Sequence, residues 1–308
     1  MNLEHTFNLL VILGPTASGK TRLGVQAAGA LGGEVVSADS RQVYRGMDIG
    51  TGKDLDEYGE VPYHLIDIVE PGDEFSVFEF QRRFFDVFAD IRSRGRMPVL
   101  VGGTGLYLEA VLRGYRLVEV PENPALRKEL AGLSLEELGE RLRRVRPGLH
   151  NTTDLKERER LVRAIEIATG EEAAAAGLPP LPALNPVVFG VRWERGELRR
   201  RITARLKERL ELGLVEEVAR LHASGIPYET LEFYGHEYRF VALHLKGELN
   251  RNDMFQKLGS AIHQFAKRQE TWFRRMERQG VVIHWLEGAG EPFEEMMKMV
   301  EKHSIQTT

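Results

Sequence analysis

The sequence predicts an α/β protein: a parallel sheet flanked by helices, interrupted by a smaller all-helical insertion. Three observations carry this expectation. Short apolar segments alternate with amphipathic ones over the first hundred residues. The first apolar run, Leu9-Leu10-Val11-Ile12-Leu13, passes directly into a glycine-rich loop, and residues 124–176 hold helical patterns only. Strands that alternate with helices need right-handed crossovers, which place helices on both faces of a parallel sheet.

Taken in order, the short β-branched apolar runs predict strands at 8–13, 34–37, 64–68 and 98–101. Helices are expected at 19–31 and 77–94. The second opens on a capping box, Ser76-Val-Phe-Glu79, and carries a Phe face (Phe78, Phe84, Phe85, Phe88) suited to packing on the sheet. Past Pro121 the pattern is helical, with a further capping box at Ser134-Leu-Glu-Glu137 and an amphipathic stretch over 154–168. A Pro/Gly-rich stretch, 177–186, returns the chain to an apolar strand at 187–193. Long basic helices over 196–223 and 253–279 follow, then a strand at 281–285. Residues 1–120 and 187–308 thus form the expected core, and 121–186 the helical insertion.

Composition narrows the class. The 308 residues carry a net charge of −4, with 42% hydrophobic and 29% charged residues, as in ordinary globular proteins. The absence of cysteine excludes disulfides and thiolate metal sites and fits a reducing cytosol. No apolar run approaches the length of a membrane span, and the first residues lack a signal-peptide pattern. A cytoplasmic, monomeric protein is expected. Arg195, Arg199, Arg200, Arg201, Arg205, Lys207 and Arg209 crowd one expected helix, and Lys267, Arg268, Arg274, Arg275 and Arg278 another. Such faces suit a docked polyanion. Solvated faces with i,i+4 partners such as Glu197–Arg201 account for them equally well.

The loop after the first strand is Gly14-Pro15-Thr16-Ala17-Ser18-Gly19-Lys20-Thr21, the phosphate-loop pattern G-x-x-x-x-G-K-[ST] between a strand and a helix. The physics needs each part. Glycines let the backbone curl so that successive N–H groups point at one anion, and the helix adds its positive end. Lys20 brings a mobile charge to the terminal phosphate, and the Thr21 hydroxyl can join a Mg²⁺ shell. A P-loop NTPase-like core that binds a di- or triphosphate follows.

Two more segments sit where side chains reach such a ligand. Asp39, in Ser37-Ala-Asp-Ser40-Arg41-Gln42, lies just past the second expected strand, at the carboxyl edge where open parallel sheets hold ligands. There a carboxylate could ligate metal or take a proton, or simply cap a turn. The strand near 98–101 ends in Gly102-Gly103-Thr104-Gly105 and not in the acid expected of an ATP-hydrolysing site. The glycines permit close backbone approach, and the Thr104 hydroxyl could contact phosphate or hold Asp39.

Together these segments resemble the tRNA dimethylallyltransferase (tRNA isopentenyltransferase) family. The resemblance rests on 14–21, on 37–44 (Ser-Ala-Asp-Ser-Arg-Gln-Val-Tyr), on Met-Asp-Ile-Gly-Thr (47–51) and on His-Leu-Ile-Asp (64–67). It continues through Val-Gly-Gly-Thr-Gly-Leu-Tyr (101–107), Arg-Leu-Val-Arg-Ala-Ile-Glu (160–166), Lys-Arg-Gln (267–269) and Trp-Phe-Arg (272–274), in the family's order. It implies transfer of the dimethylallyl group of dimethylallyl diphosphate to N6 of the adenosine at position 37 of tRNA, beside the anticodon, with Mg²⁺ as cofactor. It implies Asp39 as the base on N6 with Thr104 adjacent, and the loop with Arg201 and Arg205 on the diphosphate. Asp39, Ser40, Arg41, Gln42, Arg127 and the run Glu159, Arg160, Leu161, Val162 and Arg163 would touch tRNA, so that the insertion clamps the anticodon stem-loop.

The chain departs from the family at 233–239. It reads Phe-Tyr-Gly-His-Glu-Tyr-Arg where many members carry Gly-Tyr-basic-Glu/Gln. The insertion is short and the eukaryotic zinc-finger extension is missing, as in a divergent bacterial branch. An adenine-nucleotide prenyltransferase of the cytokinin-forming type, a small-molecule kinase, or a nucleotide-gated RNA-binding module remain open. The last leaves Asp39 and Thr104 without a task.

Overall fold

The computed structural model describes residues 7–117, 119–145, 158–174 and 180–305. The chain divides into two compact units, one formed up to Gly114 and from Pro182 onward, the other by Tyr115–Leu181. Both boundaries fall a few residues before the expected 121 and 186, for local reasons. Arg163 Nη2 donates to the Val120 carbonyl and Gly170 packs against the Val120 side chain, so this stretch belongs with the helices. At the other end, Asn8 Nδ2 donates to Ala183 O and Asn8 Oδ1 accepts from Asn185 N, which ties 183–185 to the sheet unit.

Among the described residues the larger unit is built on six parallel strands: β1 (Leu9–Leu13), β2 (Glu34–Ala38), β3 (Tyr63–His64), β4 (Pro98–Gly102), β5 (Pro186–Arg192) and β6 (His284–Glu287). Their order across the sheet is β3-β2-β4-β1-β5-β6. β1, β2 and β4 are buried at every position, as their continuous apolar runs require for strands covered on both faces. α1 (Lys20–Leu31) follows β1 and α2 (Val77–Ser93) precedes β4. Ser76 Oγ accepts from Glu79 N at the start of α2, and Phe80, Phe84, Phe85 and Phe88 are buried beneath it, with Phe78 half-buried. α3 (Gly105–Leu112) leaves the end of β4.

Three expectations need correction. The strand expected at 64–68 is only Tyr63–His64, because Leu65 and Asp67 adopt left-handed backbone (φ 62° and 55°) that no ladder accommodates. The buried ammonium of Lys53 pairs with Asp67 and accounts for that bend. The single helix expected over 196–223 is two, α7 (Arg195–Glu211) and α8 (Leu214–Ala223), broken where Gly213 sits at φ 104°. The last strand is His284–Glu287, not 281–285; Val281 closes the preceding helix through a bond to Met276 O.

The helical unit contains α4 (Pro124–Leu130), α5 (Leu135–Val145) and α6 (Arg158–Ala174). The capping box at α5 is reciprocal: Glu137 N donates to Ser134 Oγ and Ser134 N to Glu137 Oε2. Leu130, Leu138, Leu142, Leu161, Ile165 and Ala168 form its core. Of the amphipathic stretch expected over 154–168, residues 154–157 lie outside the described residues.

α9 (Tyr228–Phe233), α10 (His236–Leu245), α11 (Arg251–Arg278) and α12 (Pro292–Ile305) complete the larger unit. Among the described residues no helix is long and apolar enough to cross a membrane.

Candidate active site at the carboxyl edge of the sheet

The loop between β1 and α1 is shaped by what its carbonyls do. Pro15 O accepts from Lys20 Nζ (3.3 Å), Ala17 O from Arg201 Nε (2.9 Å) and Ser18 O from Trp193 Nε1 (2.9 Å). With these carbonyls engaged, the amides of Ala17, Gly19, Lys20 and Thr21 have no hydrogen-bond partner among the described residues. Free N–H groups at the start of a helix form an anion nest. Ala17 takes left-handed backbone (φ 62°), and two glycines of the loop are needed for different reasons. Gly19 sits at φ 87°, and a Cβ at Gly14 would come within 2.6 Å of Ser18 Oγ. The Thr16 amide is spent: it donates to Gln269 Oε1 (2.8 Å) on α11, while Gln269 Nε2 donates to Gly103 O (2.8 Å). One buried amide therefore joins the loop after β1 to the loop after β4.

β2 delivers Asp39 beside this nest. Its Oδ1 accepts from Arg41 N (2.9 Å), and Oδ2 has no hydrogen-bond partner among the described residues. Thr104 Oγ1 accepts from Ser40 N (3.1 Å), so the hydroxyl braces the turn that carries Asp39. Gly102 is required by close packing, since a Cβ there would collide with Ala38 O; at Gly103 it would lie 2.5 Å from Gln269 Nε2 and 3.4 Å from Lys20 Cε. The close approach expected of the double glycine is thus made by the protein's own atoms. Gln42 is buried with both ends of its amide used, Oε1 with Ser37 Oγ and Nε2 with Gly52 O.

Electrostatics mark the same spot. Burial, then the guanidinium groups of Arg205 and Arg209, pull the Lys20 ammonium down to about 8, with Asp39 and Asp54 acting in the opposite direction. Arg201 lies over the Trp193 ring, 4.1 Å from its centroid, and Arg205 Nη2 pairs with Asp54 Oδ2 (2.7 Å). Glu197 pairs with Arg200 instead of the expected Arg201, which is what frees Arg201 for the loop. Glu217 on α8 collects the amides of Asp48, Ile49 and Gly50 and the Tyr238 hydroxyl, fixing the segment that carries Asp54. The sequence placed Arg209 in a basic helix face, Gln269 in the Lys-Arg-Gln run and Glu237 in the 233–239 departure without giving any of them a task at the site, and Glu217 carried no signal; the i, i+4, i+8 spacing of Arg201, Arg205 and Arg209 is what links the third arginine to the first two.

A divalent cation finds modest provision. Among the described residues no three His, Cys, Asp or Glu side chains gather as a metal cluster. The Thr21 hydroxyl stands beside the nest without a hydrogen-bond partner among those residues. That donor set fits a magnesium ion delivered by a diphosphate better than a resident metal.

In the helical unit Arg127 is held by Glu166, Nε to Oε1 (2.7 Å) and Nη2 to Oε2 (3.0 Å), and Arg163 Nη1 reaches the same carboxylate (3.2 Å). The hydrogen bond from Arg127 holds the Glu166 carboxyl down at about 2. Glu159 and Arg160 are exposed, Val162 is half-buried, and Leu161 is core.

The family model "IPP transferase" matches residues 42–276, and a second, "Isopentenyl transferase", matches 7–60. A tRNA dimethylallyltransferase 2 of Syntrophotalea carbinolica is 71% identical over 96% of this chain and 99% of its own. A tRNA dimethylallyltransferase 1 of Geotalea uraniireducens is 69% identical over 97% of this chain and 98% of its own. Among solved structures, the tRNA isopentenylpyrophosphate transferase of Bacillus halodurans superposes with a TM-score of 0.70 at 32% identity, covering 97% of this chain and 98% of that one. The P-loop sheet, the strand-edge carboxylate and these matches over nearly the full length agree, and the chain belongs to the IPP transferase family of tRNA dimethylallyltransferases.

Proposed function

We propose that this protein transfers the dimethylallyl group of dimethylallyl diphosphate to N6 of the adenosine at position 37 of tRNA, releasing diphosphate. The observation that carries the reading is the meeting, at one sheet edge, of an anion nest with a carboxylate that keeps a free oxygen. An adenine amine is a weak nucleophile, so two things must be supplied: charge for the departing diphosphate and a base for the amine proton. Ala17, Gly19, Lys20 and Thr21 offer their amides to the diphosphate, with the Lys20 ammonium, Arg201 and Arg205 beside them. As N6 bonds to C1 of the prenyl group, the C1–oxygen bond breaks and its electron pair leaves with diphosphate. Asp39 Oδ2 takes the N6 proton. Thr104 holds the Asp39 turn through Ser40 N. Magnesium, when bound, neutralises diphosphate charge, with the Thr21 hydroxyl as its protein donor.

The adenosine must leave its stack, at a cost of a few kcal/mol. Ser40 and Arg41 meet the extruded nucleotide beside Asp39, while Gln42 supports that turn from within. Arg127, Glu159, Arg160, Val162 and Arg163 on the helical unit bind the anticodon stem-loop, with Leu161 anchoring the helix that carries them. The test is nucleoside mass spectrometry of unmodified tRNA incubated with protein, Mg²⁺ and dimethylallyl diphosphate, with AMP as a parallel acceptor. One dimethylallyl group on a tRNA adenosine alone is the expected result. Modification of AMP alone would move the protein to the free-nucleotide enzymes, and no product with either acceptor would overturn the reading.

A further inference from the structure

Three arginines, Arg201, Arg205 and Arg209, climb α7 one turn apart, and the third stands behind the two that flank the phosphate loop. Arg209 is 8% exposed, yet its guanidinium makes one hydrogen bond among the described residues, Nη1 to Gly50 O (3.2 Å). The nearest carboxylate, Glu237 Oε1, is 3.9 Å away, beyond hydrogen-bond reach. A guanidinium has five N–H donors, so most of its capacity is unspent in a buried place. Its neighbour makes this stranger. A Cβ at Gly52 would fall inside both Arg209 Nη2 and Arg205 Nη2, so the two cations lie against one another. They share a cleft with Thr16 and Ala17 of the phosphate loop and with Glu237, whose free space, about 10 Å³, admits about one water. Burial, then Arg205, pushes the Arg209 guanidinium down to about 10, and burial raises Glu237.

Like charges packed beside Lys20, with Asp54 already committed to Arg205, form a site short of negative charge. A dianion or trianion on the adjoining loop supplies it. Resting on the reading of the loop as a diphosphate site, we propose that Arg209 is a further diphosphate-binding residue. Glu237 is the counter-ion that holds it while no anion is bound.

The test uses the full chain, with inorganic diphosphate and Mg²⁺ titrated calorimetrically, and initial rates with donor and tRNA varied separately. Arg209→Met, which keeps the apolar stem, weakens diphosphate binding and raises the donor KM roughly 10- to 100-fold, the loss of a charge-assisted hydrogen bond. The tRNA KM stays within about twofold. Arg209→Lys restores part of the affinity, which a purely structural arginine would not require. Glu237→Gln tightens diphosphate binding several-fold. If Arg209→Met does not fold, the neutral, polar Arg209→Gln carries the test, and wild-type affinity in it overturns the proposal. Wild-type diphosphate affinity in Arg209→Met overturns the proposal alone. Failure of the unmutated protein to bind diphosphate overturns both this and the reading beneath it.

Discussion

Gln269 offers the sharpest check on how the site is assembled. Its side chain, 7% exposed, accepts from Thr16 N and donates to Gly103 O, each at 2.8 Å. The amide orientation is dictated by these partners, since an N–H must meet oxygen and a carbonyl must meet N–H. Gln269→Ala leaves two backbone groups without partners. Each orphaned group costs about 1–3 kcal/mol when water cannot reach it. Gly103 is buried and Thr16 half-buried, so solvent repays part of the second. A loss of about 2–4 kcal/mol follows, or roughly 4–10 °C in Tm. Gln269→Glu discriminates further. It keeps the acceptor for Thr16 N but sets an oxygen against Gly103 O and brings a negative charge beside the anion nest. Diphosphate affinity should therefore fall in the order wild type, Gln269→Ala, Gln269→Glu, measured by calorimetric titration alongside thermal unfolding. Gln269→Ala within about 0.5 kcal/mol of wild type, with unchanged diphosphate affinity, would refute the brace.

The remaining predictions concern single groups. Asp39→Ala should lower kcat by about 10²–10⁴-fold, the usual worth of a general base, with tRNA affinity retained in a filter-binding assay. Gly52→Ala must strain a residue at φ 63° and displace Arg205 and Arg209 together, so it should raise the donor KM as well as lower Tm. Lys20, at about 8 against an ordinary 10.5, subtracts stability below pH 8, and the deficit disappears as pH rises toward 10.5. A bound anion favours the ammonium, so calorimetry in buffers of different ionisation enthalpy should show proton uptake with diphosphate at pH 9, and Lys20→Met should abolish it. Glu166, held at about 2 against an ordinary 4.5, stabilises the helical unit above pH 4.5 and ceases to do so as pH falls toward 2. Circular dichroism of wild type and Glu166→Gln across that window should converge at low pH.

What could be read in the sequence was local. The phosphate loop, the alternation of strands and helices, and both capping boxes are stated by residues within a few positions of each other, and those elements stand where the pattern put them. The sequence failed where distant partners decide. Nothing near Leu65 and Asp67 announces left-handed backbone, because the cause is an ammonium at Lys53. Gly213 lies inside the single basic helix expected over 196–223, yet its φ of 104° ends that helix. The short helices α9 and α10 and the terminal α12 were not among the elements expected from the sequence. The active-site supports are bonds across 150 residues or more: Gln269 to Thr16, Glu217 to Asp48, Arg209 to Gly50. The departure at 233–239 gains a physical reading as well. Counted from Gly235, Glu237 takes the place of the motif's basic residue, and it faces a base brought by α7 instead.

The Gln269 bridge also orders events in time. The phosphate loop leaves the ribosome well before its brace, which is encoded some 250 residues later. Until α11 emerges, a nascent chain carries the motif without the geometry and has no means to grip a prenyl donor. Premature termination anywhere before that helix should yield polypeptides that neither consume the cell's diphosphate esters nor compete with the finished enzyme for them.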